Sequence, residues 1–422
     1  MSYKDLVSRN LYQRAPAAAL APSSLKQALL FGVGVILPLI SFRTGLARAM
    51  ASFSERVTPV DMLVIATILI LFVADGIRLH LSVVFYAGAL IVAMTISMLW
   101  ASPARFPNAL TASIALLVVL CYWVLGYNVS RSATLTRALL AGVVVGVLWE
   151  AVIVVHDYFA ASQWFIDPMS GRVRGTFRAS GQLGAYGFSS AGLLLALGWP
   201  MFQKRWVRGL ILAAGVLAMF FVIAASRRTG ILALCAWVVL ILFLGLRRFR
   251  SPRYWAVLAA ALVFVAVIVY SVASPEATFL GSRLSSAVAV IGTGESYPEV
   301  QLQSAMQHVG AWFPLGLGVG RGITVMPDEA NEIHNGHLAL LVEAGVLGLV
   351  TYYWLAAQPF FRKWGDSFGA DTAIVQTLVL AFLLAAAFQM IHGTLHRDRG
   401  FMLFLGLAVN LCASDSQGHE PG

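Results

Sequence analysis

NEIHNGH (Asn331–His337) runs straight into LALLVEAGVLGLVTYYWLA (338–356). It closes the longest polar loop of an otherwise apolar chain and opens a hydrophobic segment. At about 100° per residue, Leu338, Leu341, Gly345 and Gly348 fall within about 40° of His334 on one helical stripe. Read this way, the stretch sets an ionisable ring at a membrane surface. Below the ring lies a seam of small residues on which another helix can pack closely. The plainer alternative is a loop histidine capping an ordinary membrane helix, and spacing alone does not separate the two.

Working outward, composition decides the class. Hydrophobic residues make up 59% of the 422 and charged residues 11%, with a mean hydropathy of +0.81. A soluble domain carries about 25% charged residues, and here apolar runs of spanning length recur along the whole chain. The expectation is an all-α polytopic membrane protein forming a single integral membrane domain over 1–422. Cys121, Cys235 and Cys412 are odd in number and sit inside apolar runs. They read as small core residues, with no disulfide framework or metal cluster.

Apolar segments fall at about 27–42, 60–77, 81–100, 108–127, 138–156, 184–202, 209–225, 229–246, 254–273, 336–357, 372–392 and 400–413. That gives about twelve spans, with a large loop, 274–335, between the ninth and tenth. No cleavable signal precedes them, and no repeat is visible. With the N-terminus inside, the inner loops hold Arg78; Arg131 and Arg137; Lys204, Arg205 and Arg208; Arg247, Arg248, Arg250 and Arg253; and Arg362 with Lys363. This positive-inside pattern predicts cytoplasmic termini.

The exceptions are cations left on the outer face. Arg172, Arg174 and Arg178 lie in GRVRGTFRASG (171–181), where glycines allow a ligand close to the backbone and a helix start offers N–H groups to phosphate. Arg227 and Arg228 sit at a tight turn between two apolar runs, where arginine either snorkels to headgroups or meets an anion. Arg283 and Arg321 lie in the long loop. Guanidinium forks match phosphate oxygens. Within the loop, VQLQSAMQHVGAWF (300–313) aligns Leu302, Met306, Val309 and Phe313, as in a helix lying along the membrane surface or over the site. The glycine run PLGLGVGRG (314–322) follows no strand and lacks Lys-Ser/Thr, so it reads as a tight turn returning the chain toward His334 rather than a nucleotide loop.

His334-Asn335, nine residues, Gly345, two residues, Gly348 resembles the signature of the O-antigen ligase and polymerase superfamily of bacterial envelope proteins. Arg174-Gly-Thr-Phe177, Ser226-Arg-Arg-Thr-Gly230 and Pro314-Leu-Gly-Leu-Gly-Val-Gly320 occur in the same order as related elements of that superfamily. One departure is Arg178-Ala-Ser-Gly181, where many relatives carry Asn-Pro-Asn.

The resemblance implies a GT-C-like, metal-independent and cofactor-free glycosyltransferase in the bacterial inner membrane, with its site facing the periplasm. Its donor would be undecaprenyl-diphosphate-linked O-antigen and its acceptor a sugar hydroxyl of the lipid A–core, with no nucleic-acid partner. The family's essential histidine maps onto His334, as general base. Its essential arginines map onto Arg227 or Arg228 and Arg283, with Arg174 a further candidate, to hold the diphosphate. Asn335, His337, Arg178 and Arg321 are possible substrate contacts.

The chemistry fits those roles. Fixed guanidinium groups stabilise charge growing on a leaving diphosphate, and an imidazole takes the proton of the attacking hydroxyl. Nearby arginines would keep that imidazole neutral. In-line attack would then invert the anomeric carbon. Asn335 reads as orienting a neighbour, and His337 as structural or touching sugar rather than catalytic. Glu343 lies opposite His334 and roughly 13 Å deeper, so burial, either protonated or hydrogen-bonded, is expected of it. His392 and His396–Arg399 read either as lining an acceptor entrance or as an interfacial anchor. Asp61, Asp75, Glu150 and Asp157 lie near span ends and call for no special role. An O-antigen polymerase, a protein-glycosylating oligosaccharyltransferase and a transporter are the alternatives.

Overall fold

The computed structural model describes residues 23–41, 58–100, 106–160, 166–167, 172–177, 180–202, 204–225, 228–245, 297–319, 333, 335–361, 372–391 and 395–411. These residues are almost entirely helical. Helices α1 (Ser23–Ile36), α2 (Pro59–Asp75), α3 (Leu81–Trp100), α4 (Phe106–Val129) and α5 (Ala133–Ala160) come first. A two-residue ladder follows, β1 (Ile166–Asp167) against β2 (Arg172–Val173), antiparallel. Next are α6 (Ser180–Ala191), prolonged by a π-helical stretch Gly192–Gly198, α7 (Arg205–Ala224) and α8 (Arg228–Gly245). Helices α9 (Tyr297–Gln307), α10 (Val309–Trp312), α11 (Gly336–Phe361), α12 (Thr372–Gln389) and α13 (Arg399–Leu411) complete the described chain.

Helix is what an apolar chain must adopt in lipid, because each segment then satisfies its own backbone groups. Among the described residues, five helices are long and apolar enough to cross a membrane, over Leu81–Leu99, Ala112–Val129, Ala133–Asp157, Arg205–Ala224 and Gly336–Phe360. Four shorter apolar helices accompany them. Leu69, Phe72, Leu99, Val152, Leu212 and Phe243 are exposed on the outside of the bundle, as lipid-facing side chains are. The chain is an α-helical membrane protein. Segment 254–273 and most of the loop 274–335 lie outside the described residues.

Small residues bring the helices together. A Cβ on Gly34 of α1 would sit 2.5 Å from the Leu139 carbonyl of α5, and one on Gly126 of α4 would sit 2.5 Å from the Leu403 carbonyl of α13. Such close approach is how membrane helices gain packing without a hydrophobic drive. At the centre, the Phe382 ring meets Phe404 at 4.5 Å, Phe188 at 4.7 Å and Trp237 at 5.0 Å.

Helix α11 departs from the straight seam that its spacing predicts. Gly345 has φ 68° and ψ −170°, a conformation closed to other residues, and it breaks the helix into legs 336–344 and 346–361. The legs fold toward each other. The rings of His337 and Tyr353 stack with centroids 5.8 Å apart, whereas a straight helix would hold residues 16 apart about 24 Å from one another. A Cβ on Gly348 would overlap that of Ala344. Gly348 therefore receives the other half of its own segment and Gly345 the backbone of Pro314 and Leu315, and the 100° extrapolation from His334 fails beyond the vertex.

The glycine run explains the break. The Leu317 amide donates to the Val342 carbonyl at 2.8 Å, the Gly318 amide to Glu343 at 3.0 Å, and the Val346 amide to Pro314 at 2.9 Å. A Cβ on Gly316 would lie 2.6 Å from the Glu343 carbonyl. Residues 314–319 thus replace the helical bonds lost at the vertex, so this run is a backbone clip on α11 as well as a turn.

Candidate functional site

The turn carrying the sequence's central candidate is held from both sides. Ile333 and Leu338 are buried with Ala305, Trp312, Ala339 and Val342 in a small apolar cluster of its own. Asn335 is the N-cap of α11: its side-chain oxygen accepts from the His337 amide at 3.1 Å and from the Leu338 amide at 3.0 Å. The Gly336 amide donates to the Met390 carbonyl at 2.6 Å. The opening amides of the leg are thereby occupied, and the Asn335 oxygen is spent on capping. His334 itself lies outside the described residues.

His337 is engaged at both ring nitrogens. The Ala387 carbonyl can only accept, so Nε2 carries the proton and donates to it at 2.9 Å. Nδ1 then accepts from the Tyr353 hydroxyl. These bonds join both legs of α11 to the end of α12, which gives His337 a structural role. The same bonds place the turn level with Tyr353, eight residues past the vertex in the second leg, rather than at the helix's outermost end.

Beneath the turn lies a polar knot. Glu343 is 8% exposed and forms an ion pair with Arg397. The Tyr352 ring packs against Tyr86 at 5.6 Å and His396 at 6.1 Å, and its hydroxyl reaches Met390 Sδ at 3.3 Å. His396 is 2% exposed. Burial first, then the Arg397 charge, pull its pKa well below the ordinary imidazole value. Asp398 accepts from the Ser189 hydroxyl of α6 at 2.7 Å. Arg399 grips Asp61 with two bonds, 2.6 and 2.9 Å, and the Tyr122 hydroxyl adds a third at 2.8 Å. In the structure the HRDR stretch (396–399) is occupied in holding helices together. It ties α13 to α2, α4, α6 and α11, and Asp61 is a buried partner in that tie. His392 lies outside the described residues.

Arg174 belongs to a separate construction. Gly175 turns with φ 56°. The Thr176 amide and hydroxyl donate to the Glu150 carboxylate at 3.0 and 2.8 Å. Glu150, wholly buried in α5, is thus the seat of the RGTF turn, a role that its position near a span end did not reveal. The turn stands on α5, whereas the His337 cluster stands on α11 and α12. Arg227, Arg178, Arg283 and Arg321 lie outside the described residues; for Arg228 the backbone alone is described, as the first residue of α8. Among the described residues, no group of three or more His, Cys, Asp or Glu side chains is placed to hold a metal ion. Comparison of the chain with protein-family models and with curated proteins finds no match.

Proposed function

We propose that the protein is a glycosyltransferase resembling the O-antigen ligases. It would move a glycan from undecaprenyl diphosphate to a lipid A–core sugar hydroxyl at the periplasmic face of a bacterial inner membrane, with both termini cytoplasmic and about twelve spans. One observation carries the reading: the spacing His-Asn-x9-Gly-x2-Gly acquires a physical purpose. Asn335 caps the leg that follows His334. Gly345 is its vertex and Gly348 the point where the two legs meet. Such a device fixes the backbone on either side of position 334, and a general base requires a fixed place. His334 takes the acceptor proton; Arg227 or Arg228, Arg283 and Arg174 carry the diphosphate charge; Arg178 and Arg321 contact substrate. No step calls for a cofactor.

A transporter is the second reading, because broken helices and buried ionisable groups mark transport sites. The vertex and Glu343 fit that description. However, the carbonyls freed at the vertex accept from Leu317 and Gly318, and Glu343 is paired, so the break reads as a clip. Purified protein would be incubated with undecaprenyl-diphosphate-linked glycan and lipid A–core, without metal or nucleotide, and the ligated product measured. The wild type should form it. His334→Ala should lose at least about 100-fold in turnover while unfolding at the wild-type temperature; full activity in that variant removes the base assignment. Product joining two lipid-diphosphate chains would identify a polymerase instead.

A further inference from the structure

Helices α9 and α10 are turned inside out for a segment standing in water. Leu302 (50%), Met306 (54%), Val309 (38%), Phe313 (58%) and Leu315 (68%) are exposed, while Gln301 and Ser304 are buried. Gln303 and Gln307, exposed as well, lie on a third face about 100–140° around from Leu302. One face thus packs on protein, one is apolar and open, and one is polar and open. An interfacial helix has this division, with its apolar side in acyl chains and its polar side toward headgroups.

The depth of the segment is set by its partners. Gly318 packs on Ser97, whose hydroxyl donates to the Val319 carbonyl at 2.8 Å. Ser97 lies two residues inside the end of the apolar span Leu81–Leu99, roughly 3 Å within it. The Gly318 amide bonds at Glu343, and the Pro314 carbonyl bonds three residues farther on, at Val346. Both bonds fall at the vertex of α11, one on each side of Gly345, and pin the run there. From the vertex, the leg 336–344 returns to the level of Tyr353, alongside α3, whose Tyr86 meets Tyr352. Helices α9 and α10 pack on that same leg through Ala305 and Trp312. The apolar stripe is therefore carried by a segment packed against membrane-crossing parts of α3 and α11.

We infer that 300–319, although it belongs to the long polar loop, is seated in the bilayer, with Leu302, Met306, Val309, Phe313 and Leu315 against lipid acyl chains. The irregular backbone at 314–319 tolerates that depth because Val342, Glu343 and Val346 satisfy its polar groups. The assignment holds whether or not the protein transfers glycans.

The test uses full-length protein in nanodiscs, with Cys121, Cys235 and Cys412 replaced by alanine. Single cysteines at Met306→Cys, Leu315→Cys, Gln303→Cys and Leu347→Cys carry an environment-sensitive fluorophore. Leu347 is a lipid-side reference on the second leg, 55% exposed. Spin-labelled phosphatidylcholine should quench positions 306 and 315 as strongly as 347, and at least about twofold more than 303; aqueous iodide should give the reverse order. Iodide quenching at 306 and 315 equal to that at 303 would overturn the assignment. So would protection from both quenchers together with crosslinking between copies, which would put a second chain on the stripe.

Discussion

At the start of α13, Arg397, Asp398 and Arg399 each end on a side chain of another helix: Glu343, Ser189 and Asp61. At the start of α11, the histidine turn is held by uncharged groups: the Gly336 amide on the Met390 carbonyl, the Asn335 cap, and the His337 ring between the Ala387 carbonyl and the Tyr353 hydroxyl. The first cluster invests its charges in joining helices. The second uses backbone amides, the Asn335 oxygen and the uncharged His337–Tyr353 pair, so substitutions there can alter the turn without unmaking the bundle. Stability and activity should accordingly separate between the two, and the comparison can be broken by measuring both in the same variants.

The largest loss is expected in the knot. Asp61→Asn leaves the Arg399 guanidinium buried without its counter-charge, at a cost of about 3–5 kcal/mol. Arg399→Met should do comparable damage from the other side. Thermal unfolding in detergent should show both as severely destabilised, and the double variant as less damaged than the two losses added together. If either single variant unfolds with the wild type, the knot does not hold the bundle.

The vertex comes next, where the two regions meet. Gly345→Ala forces a Cβ into the Pro314 carbonyl and into a backbone region that alanine avoids, costing about 1–3 kcal/mol. A mislaid histidine turn should reduce turnover by about 100-fold, more than the stability loss explains. Equal stability and turnover in Gly345→Ala would mean that the fold of the legs does not depend on the clip.

A smaller effect separates the clusters by pH. His396 stays neutral in the folded protein well below the ordinary imidazole pKa, held there by burial and by Arg397. Below about pH 6.5 the unfolded chain gains a proton that the folded chain refuses. Stability is therefore full above that pH and falls as the pH drops, by at most about 1.4 kcal/mol per unit. Unfolding followed from pH 7.5 to 5.5 should show this slope, and His396→Gln should flatten it. An unchanged slope in the variant would assign the proton to another group.

How much of this was legible in the sequence follows from what each feature depends on. Helical character and a membrane environment follow from composition, because lipid leaves an apolar chain few ways to satisfy its backbone. Glu343 is buried, though not by depth along a straight helix: it stands beside the vertex, and its partner Arg397 lies 54 residues away, so only tertiary packing brings them together. Asp61 and Glu150 looked ordinary near span ends for the same reason: their partners come from distant turns. The vertex was misread because 100° periodicity assumes a continuous helix. Glycine at 345 and 348 is compatible both with a packing seam and with a break, and the deciding partner, 314–319, is remote in sequence.

The smallest effect returns to the histidine turn. Asn335→Ala removes one oxygen that accepts two amides, and an N-cap loss of this kind costs about 1 kcal/mol. Asn335→Asp keeps the oxygen and should restore the stability. Turnover discriminates further: if Asn335 acts only as a cap, activity should follow stability in both variants. If it touches sugar through its amide nitrogen, Asn335→Asp should remain impaired while fully stable, because a carboxylate cannot donate the hydrogen bond that an amide can. A stable, inactive aspartate variant would therefore move Asn335 from holding the turn to binding the substrate.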